Sequence, residues 1–356
     1  MAAAPQLQLI GSVEELPRAL AASVSPEERE CIQKLKKSGL PFAVTPYFAS
    51  LAGPGREDPV RRQFMPDPRE AFPDPFALDD PLGADHYRIT PRLVHQYRDR
   101  VLLLAGGACA GFCRYCFRRA KMSSFPSFIS VAELEPVLAY LESRRGAIRE
   151  ILVSGGDPLC AGDGELWELF GKLRKASPGI LIRLCSRVPI TNPSRINAKT
   201  ISMLTLFRPI RIVTHINHPR ELAPSSSAVL ASAVEAGIPV HVQTVLLRGI
   251  NDNAETLAVL FRECLNLGLT PYYLFQLDLA PGTAHFRVPL GEGLAIYREL
   301  TRLVSGLALP AYAVDLPGGG GKIRLHEGVI AGEEDRASGR VYLLKDADGK
   351  IWEYPM

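Results

Sequence analysis

Apolar segments of strand length alternate with helical patterns through most of the chain after residue 100. The apolar segments do not alternate with polar residues, and they therefore predict strands that are covered on both faces. They lie at residues 101–105, 151–154, 182–185, 211–215, 240–246, 272–277 and 312–314. Patterns of helical period lie between them at residues 130–143, 165–176, 198–206, 226–237, 253–267 and 291–304. This alternation predicts an α/β fold with a parallel sheet, and the number of units favours a partial or full (β/α) barrel.

The two flanks of this region have different patterns. Residues 13–51 predict short helices, and residues 53–83, which contain seven prolines, predict an extended arm. Phe64, Met65, Phe72 and Phe76 in this arm are expected to be buried. We therefore predict three segments, namely a helical and proline-rich N-terminal arm packed on the barrel (1–92), the barrel itself (93–322) and a short C-terminal tail (323–356).

Composition narrows the class of protein. Of 356 residues, 47% are hydrophobic and 22% charged, which is typical of a globular protein. A formal net charge of +3 is too small to indicate binding to nucleic acid or to a membrane surface. The N-terminus lacks the pattern of a signal peptide, and the seven cysteines do not resemble a disulfide framework. These features predict a cytoplasmic protein.

Three cysteines follow the first predicted barrel strand with the spacing C-x3-C-x2-C, at Cys109, Cys113 and Cys116. A closed iron–sulfur site usually takes four cysteines, and structural zinc also takes four ligands. Three thiolates on one loop therefore favour a cluster with one iron left open. A zinc site completed by a distant histidine remains an alternative at this point.

Other polar residues lie where predicted strands end, and in a barrel the chemistry lies at the carboxyl ends of the strands. They are Gly155, Gly156 and Asp157 after the second strand, Ser186 and Arg187 after the third, His215 after the fourth, Gln243 within the fifth, Asp278 after the sixth and Asp315 after the seventh. The two glycines would let backbone atoms approach a ligand closely. Internal pairing with Arg or Lys is an equally good explanation for the two strand-end acids.

Four consecutive glycines precede a lysine in the sequence Asp315-Leu-Pro-Gly-Gly-Gly-Gly-Lys322. Such a run is costly in conformational entropy, which indicates that this backbone has a specific use. It is not a phosphate-binding P-loop, because Ile323 follows Lys322 where a Ser or Thr is required. The lysine could contact a phosphate or form an imine with a carbonyl cofactor, and a surface hairpin is the alternative.

Together, the three-cysteine loop, the Gly-Gly-Asp loop and the glycine-rich lysine loop resemble the lysine 2,3-aminomutase family of radical S-adenosylmethionine (SAM) enzymes. Further matching segments are residues 213–219, 243–252, 272–279, 285–287 and 305–306, and the likeness covers about residues 40–322. The resemblance implies a barrel of the radical SAM type. It also implies an isomerase that moves the α-amino group of L-lysine to C3 and gives β-lysine.

The resemblance also implies three cofactors and their residues. A 4Fe-4S cluster would be bound by Cys109, Cys113 and Cys116. S-adenosyl-L-methionine would be held by Tyr115, Gly155, Gly156, Asp157, His215 and Gln243. Pyridoxal 5′-phosphate would form an imine with the catalytic Lys322, with Tyr97 and Arg100 near its phosphate. For the substrate, Arg118 would bind the carboxylate, and Asp278 and Asp315 would bind the distal ammonium of lysine.

The chain departs from the family pattern in three places. Gln96 stands where relatives have a basic residue on the cofactor phosphate, although Arg98 is nearby, and Val242 replaces an asparagine. No cysteine follows Lys322, so the zinc site that some members use between subunits is not expected, and a homo-oligomer stays open. An electron donor such as flavodoxin or ferredoxin is the implied protein partner.

Three other functions remain as alternatives. One is formation of (R)-β-lysine for modification of elongation factor P, and another is a 2,3-aminomutase for a different amino acid. The complete Gly-Gly-Gly-Gly-Lys sequence favours the free-standing mutase over the first, and two acids would repel the side chain of glutamate. The third is an iron–sulfur redox sensor, which would have no use for a lysine that binds pyridoxal.

Overall fold

A ten-stranded sheet forms the centre of the computed structural model, which describes residues 7–37, 41–119 and 128–356. The strands occur in the sheet in chain order, and β3 to β9 are parallel, whereas β1, β2 and β10 pair antiparallel with their neighbours. The strands are β1 (Arg88–Thr90), β2 (Leu93–Tyr97), β3 (Arg100–Gly106), β4 (Glu150–Gly155), β5 (Leu181–Cys185), β6 (Ile210–His215), β7 (Val240–Val245), β8 (Thr270–Phe275), β9 (Ala311–Leu316) and β10 (Gly321–Arg324).

Helices connect the parallel strands, as the alternating pattern predicts. The helices are α1 (Arg18–Ala22), α2 (Pro26–Lys37), α3 (Pro46–Ser50), α4 (Val131–Ser143), α5 (Asp163–Ala176), α6 (Val188–Thr191), α7 (Ala198–Thr205), α8 (Pro224–Glu235), α9 (Ala254–Asn266) and α10 (Leu290–Leu303). The predicted barrel strands match β3 to β9, and the predicted barrel helices match α4, α5 and α7 to α10, with ends displaced by two residues at most. The predicted α/β fold with a parallel sheet is confirmed.

Local side chains fix where several helices begin. Ser130 accepts a hydrogen bond from the backbone N–H of Glu133, whose carboxylate accepts one from the N–H of Ser130, and this capping box starts α4. Asn253 accepts a hydrogen bond from Thr256 N and starts α9 in the same way. Because free backbone N–H groups at a helix start need acceptors, these residues explain why the predicted starts are accurate.

The sheet is a partial barrel, since no ladder joins its first and last strands within the described residues. Side chains and loops bridge the opening instead. Tyr87 Oη and Gln96 Nε2 each donate a hydrogen bond to Gly319 O, at 2.9 and 3.3 Å, and Gly318 N donates to Pro81 O at 3.2 Å. The glycine-rich loop between β9 and β10 therefore contacts the opposite edge of the sheet.

The N-terminal arm contains α1 to α3 and short 3-10 turns that include Pro68–Ala71. Phe64 and Met65 are buried as predicted, and Phe76 is half-buried. The prediction for Phe72 is wrong, because its side chain is 66% exposed. The inward position of its turn is taken by Glu70, which pairs with two buried arginines, Arg114 and Arg119.

The C-terminal segment is more ordered than the predicted tail. Strands β11 (Ile330–Arg336), β12 (Gly339–Lys345) and β13 (Ile351–Pro355) form a separate antiparallel sheet. Tyr354 in β13 is 1% exposed and donates a hydrogen bond to Leu277 O at 2.8 Å. The C-terminal sheet thus packs on the loop after β8. The segment boundaries near residues 92 and 322 stay a prediction.

Among the described residues, no helix is both long enough and apolar enough to cross a bilayer.

Candidate active site

The cysteine loop follows β3 and enters the carboxyl end of the partial barrel. Arg187 Nη1 donates a hydrogen bond to Cys113 Sγ at 2.8 Å, and Cys116 N donates to Cys113 O at 3.0 Å. Burial raises the pKa of Cys116 to about 11 and raises that of Cys109 strongly. In the part of the chain that the structure describes, no three Cys, His, Asp or Glu side chains converge as ligands of a single metal ion.

Gly155 and Gly156 are required by close packing of two loops. A Cβ at Gly155, which has φ +131°, would lie 2.3 Å from Gly106 O, and one at Gly156 would lie 2.3 Å from Ala108 O. Gly156 N also donates a hydrogen bond to Gly106 O at 2.6 Å. These glycines therefore let the loop after β4 press against the base of the cysteine loop, which is a use that the sequence did not suggest.

Asp157 joins the loop after β4 to the loop after β5. Its carboxylate accepts hydrogen bonds from Ser186 Oγ and Arg187 N, both at 2.7 Å, and from Val188 N at 3.1 Å and Leu159 N at 3.0 Å. Burial raises its pKa to about 6 against the effect of these donors. All four contacts are with the protein, so Asp157 fixes loop positions, and direct contact with SAM stays a prediction.

His215 and Gln243 lie side by side at the ends of β6 and β7, where they are register partners. His215 Nε2 donates a hydrogen bond to Gln243 Oε1 at 2.8 Å. Burial, reinforced by the charge of Arg187, lowers the pKa of His215 to about 4. A neutral imidazole and an amide therefore face the centre of the site as predicted partners of SAM.

A buried polar network supports the cysteine loop, and apart from Tyr115 its members had no predicted role in the site. Arg187 contacts Gln63 Oε1 through Nη2, which also lies 2.8 Å from Glu221 Oε2, and the side chain of Glu221 is fully buried. Asn217 Nδ2 donates to Tyr115 Oη at 2.6 Å and to Gln63 Oε1 at 3.1 Å. The only sequence signal was the position of Arg187 after a strand. Tyr115 is thus held beside the loop by a network that joins the arm to the barrel.

Arg118 follows the last cysteine of the loop by two residues and contacts the end of β4. Its Nη1 donates hydrogen bonds to Ser154 Oγ at 2.9 Å and to Gly155 O at 3.4 Å. Burial lowers its pKa, and the neighbouring acids that oppose this effect include Asp278. The predicted carboxylate partner and one predicted ammonium partner are therefore close enough to interact electrostatically.

Asp278, Asp315 and Lys322 meet at the ends of the last strands. Lys322 and Asp315 are cross-strand partners in β9 and β10, and Lys322 Nζ lies 2.5 Å from Asp315 Oδ2. The ammonium of Lys322 also lies 3.9 Å from the ring centroid of Phe275 in β8, a favourable cation–π distance. Burial and then the charge of Asp315 raise the pKa of Asp278 to about 8.

Tyr97 and Arg100 lie beside this group across the opening of the sheet. The guanidinium of Arg100 stacks 3.9 Å from the ring centroid of Tyr97. Burial and the charge of Asp315 raise the pKa of Tyr97 to about 12, while a hydrogen bond with the backbone of Lys322 opposes the shift. The two predicted phosphate residues are therefore next to the predicted imine lysine, although they lie more than 220 positions earlier in the chain.

The glycine-rich loop has a conformational reason for each glycine. Gly318, Gly319 and Gly321 have φ values of +68°, +96° and +77°, which other residues rarely adopt. Gly320 has no such angle, but a Cβ there would lie 2.7 Å from the ring of Trp352 in β13. The loop is thus shaped by its own turn and by the C-terminal sheet.

The fold and the cysteine loop define a radical SAM protein, and the model of the Radical SAM superfamily matches residues 103–260. A protein of Treponema pallidum, provisionally named L-lysine 2,3-aminomutase, is 43% identical over 88% of this chain and 89% of its own length. L-lysine 2,3-aminomutase of Clostridium subterminale is 35% identical over 97% of this chain and 81% of its own. Glutamate 2,3-aminomutase of Clostridioides difficile is 33% identical over 85% and 71%. The chain belongs to the lysine 2,3-aminomutase family.

The residues present fit the groups that this family uses. Three thiols on one loop suit a 4Fe-4S cluster with an open iron, and Arg187 Nη1 donates a hydrogen bond to the sulfur of Cys113. Neutral His215 and Gln243 offer a donor and an acceptor to a nucleotide. Lys322 offers a primary amine to an aldehyde, with Tyr97 and Arg100 beside it.

Proposed function

We propose that the protein is a radical SAM, pyridoxal phosphate-dependent aminomutase that moves the α-amino group of L-lysine to C3 and gives β-lysine. One observation carries the choice of lysine, namely two carboxylates, Asp278 and Asp315, at the ends of neighbouring strands. A basic residue, Arg118, follows the cysteine loop and interacts electrostatically with Asp278. This charge pattern suits an amino acid with a carboxylate at one end and an ammonium at the other.

The chain's own residues have distinct tasks in this proposal. Arg118 binds the substrate carboxylate in a bidentate manner, as arginine does well. Asp278 and Asp315 bind the distal ammonium, and Lys322 attaches the aldehyde cofactor. The cluster with SAM supplies a 5′-deoxyadenosyl radical when bound, and pyridoxal phosphate supplies a carbon that holds the migrating nitrogen.

Partners and location are part of the same proposal. An electron donor such as flavodoxin or ferredoxin would reduce the cluster, and a homo-oligomer is compatible with the chain. All seven cysteines are free, which supports a reducing, cytoplasmic location. The charged residues of the site suit a small amino acid as the substrate.

The test is anaerobic turnover by the reconstituted protein with reductant, SAM, pyridoxal phosphate and either L-lysine or L-glutamate. We expect β-lysine from lysine and no β-glutamate, because the two acids repel a side-chain carboxylate. Turnover of another amino acid without formation of β-lysine would refute the substrate. Chromatography of the product on a chiral phase also gives its configuration.

Substitution of Asp315 tests the ammonium site directly. Asp315→Asn should raise the KM for lysine roughly 10- to 100-fold, which corresponds to loss of one charged hydrogen bond. The matched control is Glu30→Gln, which breaks the exposed ion pair of Glu30 with Lys34 on α2. An unchanged KM for lysine in Asp315→Asn would show that Asp315 does not bind the substrate.

Spectroscopy tests the role of Lys322 without turnover. The visible absorption band of pyridoxal phosphate bound through a lysine should appear in the wild type and be absent in Lys322→Ala. Lys34→Ala is the control for loss of a lysine elsewhere. A band that persists in Lys322→Ala would show that another amine holds the cofactor.

A further inference from the structure

Lys322 already has an acidic partner in the site. Its Nζ lies 2.5 Å from Asp315 Oδ2, and the two side chains are 22% and 18% exposed. Antiparallel pairing of β9 with β10 places the two residues directly opposite each other, so the ion pair is built into the hairpin. Partial burial makes this pair stronger than an exposed one.

The same carboxylate is one half of the acid pair that faces the substrate. Asp315 acts on Asp278 electrostatically, Lys322 acts on both acids, and Arg118 acts on Asp278. An ammonium that approaches the acid pair therefore meets one carboxylate that a lysine of the protein already neutralises. In charge and in hydrogen-bonding capacity, the Lys322 ammonium is equivalent to the distal ammonium of a lysine substrate.

We propose that Lys322 occupies the ammonium subsite at Asp315 in the cofactor-free protein, so that attachment of Lys322 to the aldehyde cofactor opens this subsite to the substrate. The proposal rests on the proposed function and adds an order of events to it. Lysine binds well only after the cofactor has engaged Lys322.

The chemistry of attachment accounts for the change. The Lys322 ammonium gives one proton to solvent, and the neutral Nζ then adds to the aldehyde carbon. A carbon–nitrogen double bond forms, and the aldehyde oxygen leaves as water with the two hydrogens of the neutral amine. The nitrogen no longer presents a free ammonium to Asp315, and the carboxylate needs a new cation.

Two acids also serve the next step. When the α-amino group of the substrate replaces Lys322 on the same carbon, the amine of Lys322 is released and can take up a proton. The released amine and the distal ammonium then lie near both acids, and two positive charges there favour ionisation of Asp278, which holds a proton in the cofactor-free protein.

A lysine analogue without the α-amino group separates recognition of the ammonium from attachment to the cofactor. The probe is 6-aminohexanoate, which carries the carboxylate and the distal ammonium of lysine. Its binding is measured by titration calorimetry on the cluster-containing protein freed of pyridoxal phosphate, for the wild type, Lys322→Gln and Lys34→Gln. Lys34 pairs with Glu30 on the surface of α2 and is the matched control.

We expect Lys322→Gln to bind 6-aminohexanoate roughly 10-fold or more tightly than the wild type, since a charged competitor is removed. Lys34→Gln should equal the wild type. The gain should disappear in the double variant Lys322→Gln/Asp315→Asn. A second measurement needs no variant, because loading the wild type with pyridoxal phosphate should tighten binding of the probe in the same direction.

The outcomes separate the two proposals. Equal affinity of the wild type and Lys322→Gln, together with no effect of cofactor loading, would overturn the competition while β-lysine formation stands. A gain that survives Asp315→Asn would also overturn it. Absence of binding to every form, including the loaded wild type, would contradict the lysine-binding site itself. Circular dichroism of each variant confirms that it is folded.

Discussion

At the scale of single residues, the site holds buried groups whose charges depend on one another. Asp278 is the clearest case, since burial and the nearby Asp315 raise its pKa to about 8. Arg187 is the second, because it donates both to Cys113 and to the fully buried Glu221. Both groups give predictions that need no cofactor.

The raised pKa of Asp278 predicts how stability depends on pH. The folded cofactor-free protein holds a proton on Asp278 that the unfolded chain, with an ordinary pKa of about 3.9, has already lost. The contribution of this group is therefore fully present below about pH 4 and is lost as pH rises through about 8. Asp278→Asn cannot titrate, so its free energy of unfolding relative to the wild type should increase from pH 5 to pH 9. Urea denaturation at each pH measures this, and a constant difference would contradict it.

Arg187 and Glu221 predict a stability cycle. Arg187→Met leaves the fully buried Glu221 without its cation, which should cost about 3–5 kcal/mol in unfolding free energy. The double variant Arg187→Met/Glu221→Gln should be more stable than the single variant, because no buried charge is then left alone. Chemical denaturation of the cluster-free proteins at neutral pH gives both values. A double variant less stable than Arg187→Met would show that the carboxylate is held mainly by its other donors.

The sequence predicted which residues gather at the carboxyl ends of the strands better than it predicted their contacts. Spacing identified the three cysteines, and the resemblance placed Lys322 and the two acids. It could not reveal that Gly155 and Gly156 serve packing on Gly106 and Ala108, because that depends on how two loops approach in space. The network of Gln63, Arg187 and Glu221 was missed for the same reason.

At the scale of elements, the C-terminal sheet packs against two loops of the site. Tyr354 in β13 donates to Leu277 O, next to Asp278, and Trp352 packs on Gly320 in the lysine loop. The loop that contains Asp278 and the loop that precedes Lys322 are thus both held by one strand, β13.

Tyr354→Phe should affect both stability and substrate binding. The buried carbonyl of Leu277 loses its donor, which should cost about 1–3 kcal/mol, and the KM for lysine should rise because the adjacent Asp278 is less well positioned. Tyr297→Phe is the matched control, since Tyr297 Oη donates at the same 2.8 Å to Pro310 O before β9, at the other end of the strand. Equal effects of both variants on KM would show that Tyr354 does not position Asp278 specifically.

Elements were predictable where both of their faces are covered. The parallel strands consist mainly of apolar residues, with single polar residues such as Arg183 and His241, and caps such as Ser130 and Asn253 mark the helix starts. In the C-terminal sheet, β11 lacks this signal. β11 contains Glu333, Glu334 and Asp335, which are exposed, so its sequence shows no apolar face.

At the scale of the whole molecule, contacts bridge the opening of the partial barrel, and the described residues form no ladder between its first and last strands. Gly83, with φ +60°, presses on the lysine loop, and a Cβ there would lie 2.5 Å from Gly319 N. This contact helps to bring Tyr97 and Arg100 beside Lys322 across the opening.

Gly83→Ala should therefore open the cofactor site. It should cost about 1–3 kcal/mol from overpacking, in addition to about 1–2 kcal/mol for the left-handed backbone, and weaken binding of pyridoxal phosphate. Gly146→Ala is the control, because Gly146 has φ +84° but open space around its Cβ position. It should show the backbone cost alone and normal cofactor affinity. Absorbance titration measures the affinity, and equal effects in both variants would contradict the bridging role.

The close contact of Gly155 and Gly156 with the cysteine loop has a consequence for redesign. It ties the loops after β3 and β4 together through backbone atoms, whereas the acids and Lys322 stand on β8 to β10 at the far edge. The loops after β3 and β4, where the radical is made, can thus stay unchanged while substitutions on β8 to β10 change the choice of amino acid. A library of variants with substitutions confined to residues 273–279 and 312–316 could be screened for new β-amino acid products, because the loops after β3 and β4 would stay intact.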